Sequence, residues 1–245
     1  MKLTSLPQFR RNAIRFEQIM VVLAKHGLAA WLRESDPDFL QRFLRSPEGE
    51  NLAGRPRPER IRMALAELGT TFIKLGQMLS TRADLVGAEL AGELTKLQAD
   101  TPADPPETVR ETIENELGRP VDQAFAEFDE TPLASASIAQ VHAATLDDGT
   151  AVVVKVQHAG IEEKVVNDLE ILVTLAGLAE KYGRDLRLYQ PVRVVTEFRR
   201  HLLRELDFDR EEQNLLQFQK NFEDDETVHI PSPFSELSAK RVLTM

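Results

Sequence analysis

Two runs of alternating apolar residues, Ile138 to Leu146 and Ala151 to Val156, flank Asp147-Asp148-Gly149. Alternation with a period of two is the pattern of a half-buried strand, and an Asp-Gly turn between two such runs closes them into a β-hairpin. Just ahead of the hairpin stand four small side chains, Ala134, Ser135, Ala136 and Ser137, followed by Ile138, and Lys155 sits near the end of the second strand. Small residues in a strand-turn-strand segment let the backbone approach a ligand closely. By pattern alone, a lysine at this point of a strand is a solvated residue, so the hairpin by itself leaves the chemistry open.

The 245 residues suffice for one large or two ordinary domains with a real core. The chain has no cysteine, which excludes disulfides, thiolate metal sites and cysteine nucleophiles together. Its five histidines fall at no H-x-x-x-H spacing, so no metal is expected to be held within this chain. A net charge of −10 argues against a nucleic-acid partner. Ile19 to Leu32 is apolar-rich after the basic residues Lys2, Arg10, Arg11 and Arg15, but Lys25 and His26 interrupt it and it is too short to span a bilayer. It reads as a helix packed on its own protein, with a helix lying on a membrane surface as the alternative, and no signal peptide is expected.

From Pro7 to about Gln98 the pattern is helical, with breaks at Gly27, at Ser35-Asp36-Pro37 and across Ser46 to Pro58. Ile61, Leu65, Leu68, Phe72, Leu75 and Leu79 form one core-facing stripe, with Lys74 and Gln77 beside it on what reads as a solvated face. Thr101-Pro102-Ala103-Asp104-Pro105-Pro106 is the clearest linker, and the domain boundary is placed there: residues 1–100 form a helical N-terminal extension, residues 101–245 a second domain. A helix from Glu107 to Leu117 ends at Gly118, and a short strand is expected between Phe125 and Thr131. Beyond the hairpin, Ile161, Val165, Leu169, Leu172, Ala176 and Ala179 mark a helix closed by Gly183. Val195, Phe198, Leu202 and Leu206 mark another that runs into the acidic sequence Arg204 to Asn214. On one continuous helix, Glu205 and Glu211 point roughly 120° apart and would reach different partners. Phe222 to Thr227 reads as a polar turn, then His229 to Phe234 and Lys240 to Met245 as short strands.

Together these pieces resemble the UbiB family of atypical protein-kinase-like proteins, also called the ABC1 or aarF-domain family and linked to coenzyme Q biosynthesis. The resemblance rests on four stretches in the family's order: F-I-K-L-G-Q at Phe72 to Gln77, P-L-A-S-A-S-I-A-Q-V-H at Pro132 to His142, V-K-V-Q at Val154 to Gln157, and E-L-D-F-D-R-E-E-Q-N at Glu205 to Asn214. It implies an α+β fold, a protein-kinase-like N-lobe with a small antiparallel sheet and long helices, preceded by an all-helical N-terminal extension.

By the resemblance, Lys155 is the strand lysine that contacts the α and β phosphates of ATP, and Glu211 the acidic partner on helix C that orients it. Ala134, Ser135, Ala136, Ser137 and Ile138 occupy the place of a glycine-rich loop, with alanine associated in the family with altered nucleotide preference and suppressed protein-kinase activity. Lys74 and Gln77 match a K-x-G-Q signature on a helical extension over the active site. Glu205 and Asp207 match an E-x-D signature, and Glu205 is the implied partner of Lys74. Val153 departs from the alanine of V-A-x-K that packs on adenine, and its two extra methyl groups are expected to crowd the base.

The function so implied is that of an atypical kinase or ATPase that binds ATP or ADP with magnesium and supports isoprenoid-quinone biosynthesis or membrane lipid homeostasis. The implied partners are the nucleotide, a membrane lipid or isoprenoid-quinone precursor, and quinone-biosynthesis proteins, at the cytoplasmic side of a membrane. The catalytic-loop aspartate and the metal-binding aspartate of D-F-G do not occur before Met245. The expectation is therefore an N-terminal fragment without the C-lobe, inactive on its own. The alternative of another class is a non-catalytic, pseudokinase-like scaffold that binds lipid or protein.

Overall fold

The computed structural model describes residues 5–28, 54–98, 101–182 and 186–245. The predicted break at Ser35-Asp36-Pro37, the part of the Ser46 to Pro58 gap before Gly54, the end of the apolar N-terminal run at 29–32 and the helix stop at Gly183 lie outside the described residues. The described residues fall into two compact units, one drawn from Met1–Ala99 and Glu163–Arg200, the other from Asp100–Glu162 and His201–Met245. Helical residues that follow the hairpin in sequence thus group with the N-terminal helices.

The first unit is helical. Its α1 (Ser5–Lys25) buries Ile19 and Met20, the latter among Phe16, Leu23, Ala24 and Leu175. The stripe from Ile61 to Leu79 belongs to two helices, α2 (Arg57–Leu68) and α3 (Thr70–Ser80), rather than the single one its spacing suggests. Gly69 separates them at φ +90° and ψ −162°, a conformation closed to residues with a Cβ, so the chain turns there. The apolar side survives the turn: Ile61, Leu65 and Leu79 still pack on Ile73, Leu94 and Leu97. Two short helices follow, α4 (Ala83–Val86) and α5 (Ala88–Leu94).

The unit also takes in most of α8 (Ile161–Tyr182), whose Val165, Leu169, Leu172 and Ala176 are buried as their spacing predicts. Asp168 on this helix is fully buried and is met by Arg15, with Nε 2.6 Å from Oδ1 and Nη2 3.1 Å from Oδ2. The same Nη2 donates to the carbonyl of Leu68 at 2.8 Å. That carbonyl ends α2, so one guanidinium neutralises a buried carboxylate and satisfies an orphan acceptor of a helix C-terminus.

The second unit is built on an antiparallel sheet of β1 (Glu127–Phe128), β2 (Ala134–Ser135), β3 (Ala139–Thr145), β4 (Ala151–Gln157) and β5 (Val242–Thr244). The order is β1-β3-β4-β5, with β2 also paired to β3. The predicted hairpin is β3–β4: Gly149 takes φ +84°, and Asp148 Oδ1 accepts the Thr150 N–H at 2.9 Å. One face of the sheet, with Ala144, Val152, Val154, Val156 and Val242, packs on Val109 and Ile113 of α6 (Pro106–Leu117) and Val121 of α7 (Val121–Ala124). Gly118 ends α6 in the left-handed conformation at φ +67°, as its place after Leu117 predicts.

Two expectations fail here. His229 to Phe234 forms no strand, because Pro231 and Pro233 have no N–H to give to a ladder, and only the second of the two expected strands pairs, as β5 against β4. Nor do Glu205 and Glu211 share a helix, so their angular separation on a continuous one does not apply. Helix α9 (Pro191–Glu205) stops, Asp207 is extended at φ −110° and ψ 97°, and α10 (Phe208–Asn221) begins. Leu206 and Phe208 are both buried, whereas on an unbroken helix they would point about 160° apart. Breaking the helix lets both reach apolar surroundings.

Candidate functional site

The sheet face opposite that core carries most of the predicted site. Directly paired residues of an antiparallel sheet share a face. Ala134 pairs with Val141, Val141 with Lys155, and Lys155 with Leu243, so these four form one row across the sheet. The neighbouring row holds Ala143 opposite Val153. Val141, Ala143, Val153 and Lys155 are half-buried, and Ala134 and Ala136 are exposed. The result is a shallow apolar strip of small residues with one cation at its edge.

Helix α10 covers the end of this strip. Phe208 is buried against Ala139 and Leu243, with Leu215 and Met245 packed around them. Phe208, Glu211 and Leu215 are three and four residues apart, hence on one side of the helix. Lys155 Nζ consequently lies 4.6 Å from the centre of the Phe208 ring and donates to both carboxylate oxygens of Glu211, at 2.8 and 2.6 Å. The start of α10 is anchored from the sheet: Gln157 Nε2 donates to the carbonyl of Leu206 at 2.7 Å, and the Phe208 N–H donates to the carbonyl of Lys240 at 3.0 Å. Glu205, Asp207 and Glu211 line one cleft of about 430 Å³ together with Arg204, Arg210, Gln213 and Asn214. Burial, and then the nearby carboxylates of Asp207, Glu212 and Glu116, hold the Asp209 carboxyl above its usual range.

A strand lysine gripped by a helix glutamate beside a small-residue loop is the N-lobe arrangement of kinase-type phosphoryl transfer. Residues 96–245 match the model of the ABC1 atypical kinase-like domain. The chain belongs to this family. Among curated proteins it is similar to the probable protein kinase UbiB of Marinobacter nauticus, 46% identical over 189 residues, which are 77% of this chain and 35% of that protein. The probable protein kinase UbiB of Pseudomonas aeruginosa is 39% identical over 240 residues, 98% of this chain and 44% of that protein. The chain thus spans less than half the length of these relatives. Among solved structures, the complex of Rv3197 with erythromycin from Mycobacterium tuberculosis aligns with a TM-score of 0.51 at 27% identity, covering 85% of this chain and 50% of that one. The α+β, kinase-like fold expected from the motifs is borne out, as is the family.

The other residues singled out in this ABC1 chain have definite places. Lys74 and Gln77 sit on α3 of the helical unit, and both are half-buried rather than on a solvated face. Gln77 Nε2 donates to the Leu97 carbonyl at 3.3 Å. Between them, Gly76 is packed so tightly that a Cβ would stand 2.2 Å from Leu97 Cδ1 and 3.0 Å from Leu65 Cδ1. Of the loop residues, Ser137 and Ile138 are buried and Ser135 is half-buried, which leaves Ala134 and Ala136 exposed.

Sequence reasoning missed a buried polar network behind the strip. Gln140 Nε2 donates to His142 Nε2 at 2.8 Å, and His142 Nδ1 donates to the Asp129 carbonyl at 2.7 Å, with the Phe128 ring stacked on the imidazole at 5.0 Å. This pattern assigns a neutral ring with its proton on Nδ1. Burial pushes the His142 imidazole below its usual range, against the opposing effect of the Asp129 carbonyl. Gln140 Oε1 accepts the Asp104 N–H at 2.7 Å, so the proline-rich linker is tied to the sheet. The available signal was the Q-x-H spacing inside the second motif: two residues apart on a strand share a face, and polar pairs on the buried face must satisfy each other.

Proposed function

We propose that this chain is the nucleotide-binding part of an atypical kinase or ATPase of the UbiB type. The observation that carries the reading is the two-pronged contact of Lys155 with Glu211 beside the Ala134–Ile138 loop. ATP or ADP, when bound, supplies the phosphates on which such a site acts. Lys155 presents a cation at the strip's edge, Glu211 holds its direction, and Ala134, Ala143, Val141 and Val153 offer an apolar surface for a flat base. Lys74, Gln77, Glu205 and Asp207 are proposed to restrict which substrates the site accepts, in keeping with a small or lipid acceptor instead of a peptide. Among the described residues no cluster of three or more acidic or histidine side chains could hold a metal ion.

The UbiB naming of the relatives supports a role in isoprenoid-quinone biosynthesis or membrane lipid homeostasis, with a lipid or quinone precursor and quinone-biosynthesis proteins as partners. Among the described residues no helix is long and apolar enough to cross a membrane. From the family reading, we propose an association with the cytoplasmic side that is peripheral or made by a segment outside this chain. The division into a helical extension, 1–100, and a kinase-like lobe, 101–245, is part of the same proposal.

The test is thermal unfolding of the chain with and without ATP or ADP, compared with Lys155→Ala. Ligand that binds only the folded form raises its stability by mass action, about 2.7 kcal/mol at a hundredfold excess over Kd. The wild-type transition is expected to rise with nucleotide and that of Lys155→Ala to stay in place. Equal shifts in the two would sink the role of Lys155.

A further inference from the structure

The Ala134–Ile138 loop carries only methyl, hydroxyl and one buried isoleucine side chain, yet its backbone is tied down from behind. The tie is His158, the residue that follows β4, which is buried. Its N–H donates to the Ile138 carbonyl at 2.9 Å. Its ring Nε2 lies 2.8 Å from the Ala136 carbonyl and 3.5 Å from Ser135 Oγ. A carbonyl can only accept, so Nε2 bears the proton. Nδ1 on the other side of the ring lies 3.3 Å from Asp104 Oδ2 and makes no hydrogen bond. Asp104 is itself held twice, its Oδ2 accepting the Ala159 N–H at 2.9 Å and its N–H donating to Gln140 Oε1 at 2.7 Å.

We infer that His158 is a positioning residue that sets the backbone of the Ala134–Ile138 loop for the phosphates of a nucleotide. The inference rests on the nucleotide reading above. The Ala136 N–H is already bonded to the Ala139 carbonyl at 2.9 Å, so the histidine commits the second polar group of that residue. The peptide unit is planar and trans, so its C=O and N–H point in opposite directions. Holding the Ala136 carbonyl toward His158 therefore turns the Ser137 N–H the other way. Without the ring, nothing in a small alanine side chain opposes rotation of that peptide, and the Ser137 N–H, a backbone donor of the kind a phosphate needs, loses its set direction. Asp104, from the segment read in the sequence as a linker, bonds Ala159 and Gln140, so that segment braces the chain just after His158 and the sheet behind the loop.

Two substitutions separate positioning from mere filling of space. His158→Gln can place an N–H near the Nε2 position, whereas His158→Asn reaches only as far as Nδ1. Both are polar beside Asp104. Amide hydrogen exchange at Ala136 and Ser137 and ATP affinity by titration are measured on the whole chain, with Lys155→Ala alongside. The expected result is exchange at least tenfold faster and ATP binding at least fivefold weaker for His158→Asn, with His158→Gln within about twofold of wild type on both. Unchanged loop exchange in His158→Asn, or equal damage in the two variants, overturns the inference. So does ATP binding that is lost in Lys155→Ala but untouched in His158→Asn, and in that case the nucleotide reading stands. Absence of ATP binding by the wild type overturns the nucleotide reading and, with it, the phosphate-positioning role.

Discussion

Lys155 and Glu211 are 56 residues apart in the chain, yet the lysine amine bonds both carboxylate oxygens, at 2.8 and 2.6 Å. The side chains are 26% and 40% exposed. An ion pair that open to water adds about 0–1 kcal/mol to stability, too little to explain such a specific arrangement as a folding device. Glu211→Gln is expected to weaken nucleotide binding tenfold or more while changing the unfolding free energy by less than about 1 kcal/mol. Titration and urea unfolding on the same samples check this. A large loss of stability with unchanged affinity would make the pair structural.

Val153 faces the same side of the sheet as Lys155 and stands opposite Ala143, so its methyl groups lie on the strip proposed to receive the base. Val153→Ala is expected to tighten nucleotide binding several-fold. Since the side chain is only half-buried, the stability cost should be about 1 kcal/mol, at the low end for a truncation in a packed region. Weaker binding in the variant would show that valine supports the base instead of crowding it.

Gly76, within the K-x-G-Q stretch, is needed for a packing reason. A Cβ at this position would meet Leu97 at 2.2 Å and Leu65 at 3.0 Å, in a cluster with no spare room. Gly76→Ala should destabilise the protein by roughly 1–3 kcal/mol despite alanine's better helix propensity, as overpacking of a core does. Denaturant midpoints decide it, and a stabilised variant would contradict the close approach.

His142 links stability to pH. Its folded pKa is lowered, chiefly by burial, so the unfolded chain binds this proton more readily than the folded one. Stability from this residue is therefore fully present above the unfolded value of about 6.5 and is lost as pH falls toward the folded value. The slope is at most about 1.4 kcal/mol per pH unit for one proton. Urea midpoints at pH 7.5 and 5.5 should fall for the wild type and fall less for His142→Asn. An equal drop in both would assign the pH dependence to other groups.

Much of this fold is written in short-range pattern. The β3–β4 hairpin, the stop of α6 at Gly118, the buried side of α8 and the loop-and-lysine segment all follow from periods of two and 3.6 residues and from turn chemistry. Periodicity works because burial of one face repeats along an element whatever that face packs against. It cannot say where an element ends when the apolar stripe continues through a break. Gly69 and Leu206-Asp207 interrupt helices whose stripes run on: Gly69 takes a conformation closed to residues with a Cβ, and the break before Phe208 lets Leu206 and Phe208 both be buried. The meeting of Lys155 with Glu211, and of His158 with Ala136 and Asp104, depends on carbonyls and side chains brought together from distant segments. Motif order marked Lys155 and Glu211 as candidates. Their contact, and the support behind the loop, arise from packing energies summed over the assembled unit, which no local window contains.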